Sequence, residues 1–153
     1  MSYRMHLDTP FGRWCVEASE TGVTAIMNHI SDQPDCPNEI CQSACAQLLE
    51  YFQCRRQQFH LHLDLIGTPF QKQVWERLLQ VPFGSSLSYG ALASEIGKPS
   101  AVRAVAQAVG RNPCLIVVPC HRILGKDGSL TGFSAGLELK RGLLRLEQIA
   151  WKE

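Results

Sequence analysis

The spacing of apolar residues changes along the chain, and each change marks a predicted element. Tyr3–Leu7 and Trp14–Ala18 read as two strands joined by Thr9-Pro10-Phe11-Gly12, whose proline and glycine signal a hairpin turn. Val23–His29 reads as a third strand and Pro34–Pro37 as a polar loop. Ile40, Ala44, Leu48 and Phe52 then recur every four residues, with Cys41, Cys45 and Leu49 on an adjoining stripe, which predicts an amphipathic helix beginning near Pro37. Over Gln58–Leu65 the period drops to two. Phe59, Leu61, Leu63 and Leu65 alternate there with His60, His62 and Asp64, the pattern of a half-buried strand whose histidines face solvent.

Helical spacing returns after Thr68-Pro69-Phe70-Gln71. This tetrapeptide fits a capping box, in which Thr68 caps, Pro69 takes the first helical position and Gln71 reaches back. Phe70, Val74 and Leu78 line one face of that helix, and Val81-Pro82-Phe83-Gly84 ends it. Ser88 opens another helix, with Leu92 and Ile96 apolar and Gly97 as its stop; Lys98-Pro99 turns the chain, and Ser100 caps a further short helix over Ala101–Val109 that Gly110 ends. Two short helices around a glycine-containing turn match a helix-turn-helix, with a plain helical hairpin as the alternative. The expected fold class is α+β: an N-terminal lobe of small β-sheet plus helix over residues 1–66, then a mostly helical C-terminal lobe over 67–153 containing the helix-turn-helix.

Composition adds little to this picture until it is divided. The chain is 45% hydrophobic, enough for an ordinary globular core. Its opening carries no long apolar run, so neither a secretory signal nor a membrane anchor is expected. Seven cysteines without a scaffold spacing point to free thiols in a reducing cytoplasm. Cys36, Cys41 and Cys45, with His29 nearby, lack the paired spacing of a zinc site, and Cys41 and Cys45 fit the helix stripe, so no metal is expected. The net charge of +1 hides an asymmetry: residues 1–97 hold 6 Lys/Arg against 10 Asp/Glu, and residues 98–153 hold 9 against 4. A basic C-terminal segment suits a polyanion, although a merely solvated basic surface has the same composition.

The candidate chemistry lies in Val117-Val118-Pro119-Cys120-His121-Arg122-Ile123-Leu124. The β-branched run reads as a buried strand, and Pro119 breaks its pairing, so Cys120 is expected where strand gives way to turn. His121 and Arg122 supply the surroundings that lower a thiol pKa, which makes Cys120 the leading candidate nucleophile; core filler is the alternative. Cys114, six residues earlier, shares its face if the strand is regular and is expected to be buried and inert. In the second helix of the helix-turn-helix, Ala101, Val102, Ala104, Val105, Ala106 and Ala108 are small and Arg103 is the only charge. A helix that reads base edges needs Arg, Asn or Gln; small residues instead permit close approach to a groove without readout.

Seven motifs stand in order: Thr68-Pro69-Phe70-Gln71, Ser88-Tyr89-Gly90, Ala101-Val102-Arg103-Ala104-Val105, Arg111-Asn112-Pro113, Val118-Pro119-Cys120-His121-Arg122, Thr131-Gly132-Phe133-Ser134-Ala135-Gly136-Leu137 and Lys140…Leu143-Leu144…Glu147. The set resembles the O6-alkylguanine-DNA alkyltransferases. Thr9-Pro10-Phe11-Gly12 also resembles the opening of that family's N-terminal lobe. The resemblance implies direct-reversal DNA repair, in which an alkyl group passes irreversibly from O6 of a flipped-out guanine, with O4 of thymine as a second candidate, to Cys120. It gives His121 the role of a base acting through a water, Glu147 that of the orienting carboxylate, and Asn112 that of organiser of the cysteine turn. Tyr89 and Arg103 resemble the pair that manages the flipped nucleotide, Tyr89 crowding the rotated phosphate and Arg103 filling the gap in the stack. Pro119 and the Phe133, Ser134, Ala135 and Gly136 loop resemble the wall of the guanine pocket. Phe133 stands where many relatives have tyrosine, which removes a phenol donor to the base.

The chemistry fits these residue types. Attack at a saturated carbon wants a soft, strong nucleophile, and thiolate is one. The guanine oxyanion that leaves needs a proton donor, and the Tyr89 hydroxyl is the candidate. A thioether product does not hydrolyse, so each molecule acts once and no cofactor is expected. The implied partner is double-stranded DNA carrying O6-alkylguanine, bound by a monomer with little sequence preference and with no membrane involved. Extruding the base costs a few kcal/mol. Lys98, Arg111 and Lys126 are candidate phosphate partners, and with Tyr89, Arg103, Ala101, Val102 and Ala104 they make up the predicted DNA-facing set. Three competing readings are a non-catalytic binder of alkylated DNA, a helix-turn-helix regulator and a cysteine hydrolase. Cys120, the alanine-rich helix and the lack of a recognisable oxyanion hole argue against them in turn.

Overall fold

In the computed structural model, which describes residues 2–153, the first turn forms as its residues require. Thr9 Oγ1 accepts from Phe11 N at 3.0 Å and donates to Gly12 O at 2.8 Å, while Gly12 takes φ +109°, a conformation that L side chains resist. The flanking strands, β1 (Tyr3–Thr9) and β2 (Gly12–Ala18), pair antiparallel with Leu7 opposite Trp14. β3 (Val23–Met27) pairs antiparallel with β2 and ends two residues before the predicted limit at His29. Helix α1 (Glu39–Phe52) is capped by Asn38, whose Oδ1 accepts from Cys41 N at 2.9 Å. Its buried stripe of Cys41, Ala44, Cys45, Leu48 and Tyr51 joins a core with Trp14, Cys15 and Val16 of β2. Leu49, expected on the buried side, is 39% exposed. Burial pushes the Cys45 thiol up to about 12, as befits core packing.

Gln58–Leu65 is not a strand. Its alternating burial holds as far as Leu63, with His60 and His62 exposed, but only Leu63 makes a bridge, to Val23. The reason lies with Gln47, 8% exposed on α1. Its side-chain amide donates to His60 O at 3.1 Å and accepts from His60 N at 2.9 Å, taking the backbone groups a neighbouring strand would have used.

The chain divides into two compact units: everything up to Ile66 with Pro113–Leu115, and Gly67–Asn112 with Ile116–Glu153. Pro113–Leu115 joins the first unit by extending the β3 edge, where Ile26 N donates to Pro113 O and Leu115 N to Ile26 O. In the second unit, α2 (Pro69–Leu78) opens with the expected capping box: Gln71 N donates to Thr68 Oγ1 at 3.1 Å and Thr68 N to Gln71 Oε1 at 3.0 Å. Trp75 of α2, 2% exposed, donates from Nε1 to Ala108 O at 2.9 Å and so ties α2 to α4 (Val102–Gly110). Helix α3 (Tyr89–Glu95) begins at the Ser88 cap, with Ala91 N donating to Ser88 Oγ at 3.0 Å, and Gly97 at φ +78° turns the chain after it. The predicted Ser100 cap of α4 is absent. Ala101 is the N-cap residue and no side chain caps the helix.

The apolar run before Cys120 is buried but forms a turn, not a strand. Ile116 lies at φ +72°, which a β-branched residue adopts at a cost of roughly 1–3 kcal/mol. Its side chain is 1% exposed, and burial on the order of 2–3 kcal/mol offsets that strain. Short strand pairing appears instead after the cysteine: β4 (Leu87–Ser88) runs parallel to β5 (Ile123–Leu124). Helix α5 (Leu137–Leu146) follows. Among the described residues no helix is long and apolar enough to cross a membrane.

Candidate active site and the exposed face of the second helix

Cys120 begins a 3₁₀ turn over Cys120–Arg122, directly after Pro119. It is 3% exposed. Asn112 Nδ2 donates to Cys120 Sγ at 3.0 Å and to Val118 O at 2.8 Å, so one amide holds both the sulfur and the loop that leads to it. Burial pushes the thiol up to about 11, despite the Asn112 bond, the Lys140 charge and backbone N–H groups that favour thiolate. This reverses the sequence expectation of a thiol acidified by His121 and Arg122. The reason is where those side chains go: both engage Glu147.

Glu147 is the C-cap residue of α5 and accepts from His121, Arg122 and Gly84. His121 Nε2 lies 2.6 Å from Oε2, Arg122 Nε donates to Oε1 at 2.7 Å and Nη2 to Oε2 at 3.1 Å, and Gly84 N donates to Oε1 at 3.1 Å. Burial would raise the Glu147 pKa, but His121 and Arg122 outweigh it and hold the carboxyl at about 2. Arg122 also donates from Nη1 to Val81 O at 2.7 Å, and the Phe83 ring lies 5.8 Å from its guanidinium carbon. Against an ionised Glu147, His121 Nε2 carries the proton and Nδ1 is the basic nitrogen. His121 is fully buried, Nδ1 has no hydrogen-bond partner, and burial lowers the imidazole pKa below its usual value. The resting pair is therefore thiol and neutral imidazole, with a carboxylate placed to stabilise imidazolium.

Lys140, from the buried face of α5, was not singled out by residue chemistry. It is fully buried; its Nζ donates to Ile123 O at 2.7 Å and lies 5.6 Å from the centre of the Phe133 ring. Burial lowers its pKa to about 8, against the pull of Cys120. The signal was present in the sequence: Lys140 and Glu147 share a stripe with Leu143 and Leu144, where a solvated charge does not belong. Phe133 to Gly136 form a turn closed by Gly136 N to Phe133 O at 2.9 Å, with Phe133 half-buried and Ser134 and Gly136 exposed. Gly136, at φ +106°, is the N-cap residue of α5.

The predicted DNA-facing residues fall into groups. Tyr89, Val102, Arg103 and Lys126 line a cleft of about 750 Å³ with Ser88, Gly90 and Ala106. Ala104 and Arg111 line a second cleft, about 560 Å³, against Thr68 and Gln71 of the capping box. Lys98 is exposed on the turn before α4, and Ala101 is half-buried at the helix start; neither is among the residues lining these two clefts. On α4 the buried face is Val105, Ala108 and Val109, which leaves Val102, Arg103, Ala104 and Gln107 outward. Among the described residues no three His, Cys, Asp or Glu side chains stand together as a metal site.

Residues 69–149 match the family model described as the DNA-binding domain of 6-O-methylguanine DNA methyltransferase. A constitutive methylated-DNA–protein-cysteine methyltransferase of Bacillus subtilis is 38% identical over 100% of this chain and 99% of its own length. The chain belongs to the methylated-DNA–protein-cysteine methyltransferase family. A second methyltransferase of this name, from Mycobacterium tuberculosis, is 50% identical over 69% of this chain and 64% of its own length. The crystal structure of the M. tuberculosis O6-methylguanine methyltransferase superposes with a TM-score of 0.87 at 38% identity, covering 97% of this chain and 93% of that one. A structure of M. tuberculosis OGT in complex with DNA gives a TM-score of 0.84 at 39% identity, covering 95% and 92%. The methyltransferase fold is thus shared across both units of the chain, and the α+β class expected from the sequence is the class observed.

Proposed function

We propose that this chain repairs DNA by direct reversal, taking the alkyl group from O6 of guanine onto Cys120 once per molecule. The observation that carries this reading is the buried pairing of Cys120 Sγ with Asn112, next in sequence to a His121 whose one nitrogen is fixed on Glu147 and whose other is unpaired. The thiol gives its proton to His121 Nδ1 through one water, and Glu147 stabilises the imidazolium that results. The thiolate then attacks the alkyl carbon in line with the C–O6 bond. Tyr89 protonates the leaving guanine, and the thioether persists because nothing regenerates the thiol.

DNA is the partner, and the lesion is read by extrusion of the base. Arg103 enters the gap in the stack, and the small outward residues of α4 let the groove close on the helix. Lys98, Arg111 and Lys126 contact phosphates, so the site takes any sequence. The protein works as a monomer in the cytoplasm, on chromosomal DNA and without a cofactor. A non-catalytic lesion binder would have no use for a sulfur held by Asn112 beside a His–Glu pair. The test is incubation with a duplex carrying O6-methylguanine. One methyl should appear on the Cys120 peptide, in proportion to protein and without turnover; methylation of Cys114 instead, or repair that continues past one equivalent, overturns the assignment.

A further inference from the structure

Three polar side chains of the second unit join end to end at the acceptor cysteine. Lys140 Nζ lies 3.4 Å from Thr131 Oγ1, and Thr131 Oγ1 lies 3.3 Å from Tyr89 Oη. An ammonium only donates, so Thr131 accepts from Lys140, and its own proton is directed at the Tyr89 oxygen. The Tyr89 proton is then left to point away from Thr131. Every donor in the row faces the same way, from Lys140 through Thr131 to Tyr89. Lys140, the donor at the head of the row, is fully buried, and Thr131 and Tyr89, half-buried, carry the row to the cleft that Tyr89 lines.

We propose that Thr131 is a proton relay in the transfer reaction, passing a proton from Lys140 to Tyr89 as Tyr89 protonates the departing guanine. The inference rests on the alkyl transfer proposed above. The sulfur lone pair forms the S–C bond, and the C–O6 bond breaks with its electron pair left on guanine. Guanine takes the Tyr89 phenol proton, the phenolate takes the Thr131 hydroxyl proton, and Thr131 takes one from the Lys140 ammonium. The products are a thioether, neutral guanine and a neutral Lys140 amine, which regains a proton from water after the DNA leaves. The charges balance, because one thiolate and one ammonium are consumed together.

The timing follows from electrostatics. The titratable groups that bear on Lys140 are Cys120, whose negative charge holds its proton, and His121, whose pKa its own charge depresses. Alkylation removes the Cys120 charge and moves it to the departing guanine, where the Tyr89 proton quenches it. Lys140 then reverts to a buried cation with no counter-charge, a stronger acid than before the step. It becomes willing to release its proton when the leaving group requires one. Tyr89 alone would end as a buried phenolate, which burial disfavours.

The experiment compares wild type, Thr131→Val and Thr131→Ser in single-turnover transfer from O6-methylguanine duplex, with alkylation of Cys120 by iodoacetamide in parallel. Iodide leaves without a proton, so iodoacetamide reports thiol reactivity and packing but not the relay. Thr131→Val should slow repair by about a hundredfold or more, within the range that positioned proton transfer contributes, and Thr131→Ser should restore it. Iodoacetamide rates should be the same in all three proteins. Wild-type repair by Thr131→Val, failure of Thr131→Ser to rescue, or an equal loss with both reagents overturns the relay alone. Absence of methyl on Cys120 in the wild type overturns the proposed function and the relay with it.

Discussion

Glu147 concentrates the energetics of the site in one side chain. Its carboxylate meets Arg122, His121 and the Gly84 amide while 3% exposed. Glu147→Gln leaves the Arg122 guanidinium buried without its counter-charge, so denaturant unfolding at neutral pH should show a loss of about 3–5 kcal/mol. The same substitution should slow methyl transfer by about a hundredfold and move its pH–rate profile to higher pH, because imidazolium loses its stabiliser. The sign of the acid response is fixed by the same contacts. The Glu147 pKa is lowered by folding, from 4.5 to about 2, so its stabilisation is complete above 4.5 and lost as pH falls toward 2. His121 works in the same direction: its pKa is also lowered in the folded state, so the unfolded chain gains a proton first as pH falls. Wild type should therefore lose stability steeply in acid while Glu147→Gln shows a shallower slope; parallel slopes would refute this account. Little of it was legible in residue types. Cys120 stood out by its surroundings, and His121 and Glu147 through the family resemblance, but the direction of the thiol pKa was not recognisable, because desolvation is set by what packs around the sulfur.

At the scale of elements, local signals served well where the partners lie within one turn of the chain. The Thr68–Gln71 capping box closes through neighbours three residues apart, and Thr68→Ala should cost about 1 kcal/mol in thermal or denaturant unfolding. Gly97 and Gly12 took the positive φ that only their lack of a side chain makes easy. Signals failed where a distant group intervened. Gln58–Leu65 has strand periodicity, but Gln47 occupies its backbone. Val117–Val118 has β-branched composition, but Ile116 turns the chain there. Helix α4 shows both effects, since its small outward residues were readable and its missing cap was not. Arg103→Ala should cut repair of duplex DNA far more than attack on free O6-benzylguanine, which needs no extrusion; equal losses would remove the proposed role of the arginine in the stack.

For the whole molecule the relevant pattern is charge. Residues 98–153 carry the excess of Lys and Arg, while the preceding 97 residues carry an excess of Asp and Glu. Lys126 and Arg103 share one cleft and Arg111 lines another. If these residues meet phosphates, affinity for undamaged duplex falls steeply with salt, and Lys126→Ala should lower the slope of log K against log salt by about one contact's worth, roughly 0.9. An unchanged slope would take Lys126 out of the interface.

The sequence by itself determined what is local or additive: the hairpin, most of the helix faces, the Thr68 and Ser88 caps, the charge asymmetry and the motif order in which Cys120, His121 and Glu147 appear. These depend on spacing along the chain, and spacing is written in it. Tertiary structure alone decided that Arg122 neutralises Glu147 and leaves the sulfur to Asn112, that Lys140 is buried at the site, and that Thr131 links it to Tyr89. Those outcomes depend on which groups lose their water together, a property of packing between residues far apart in the chain.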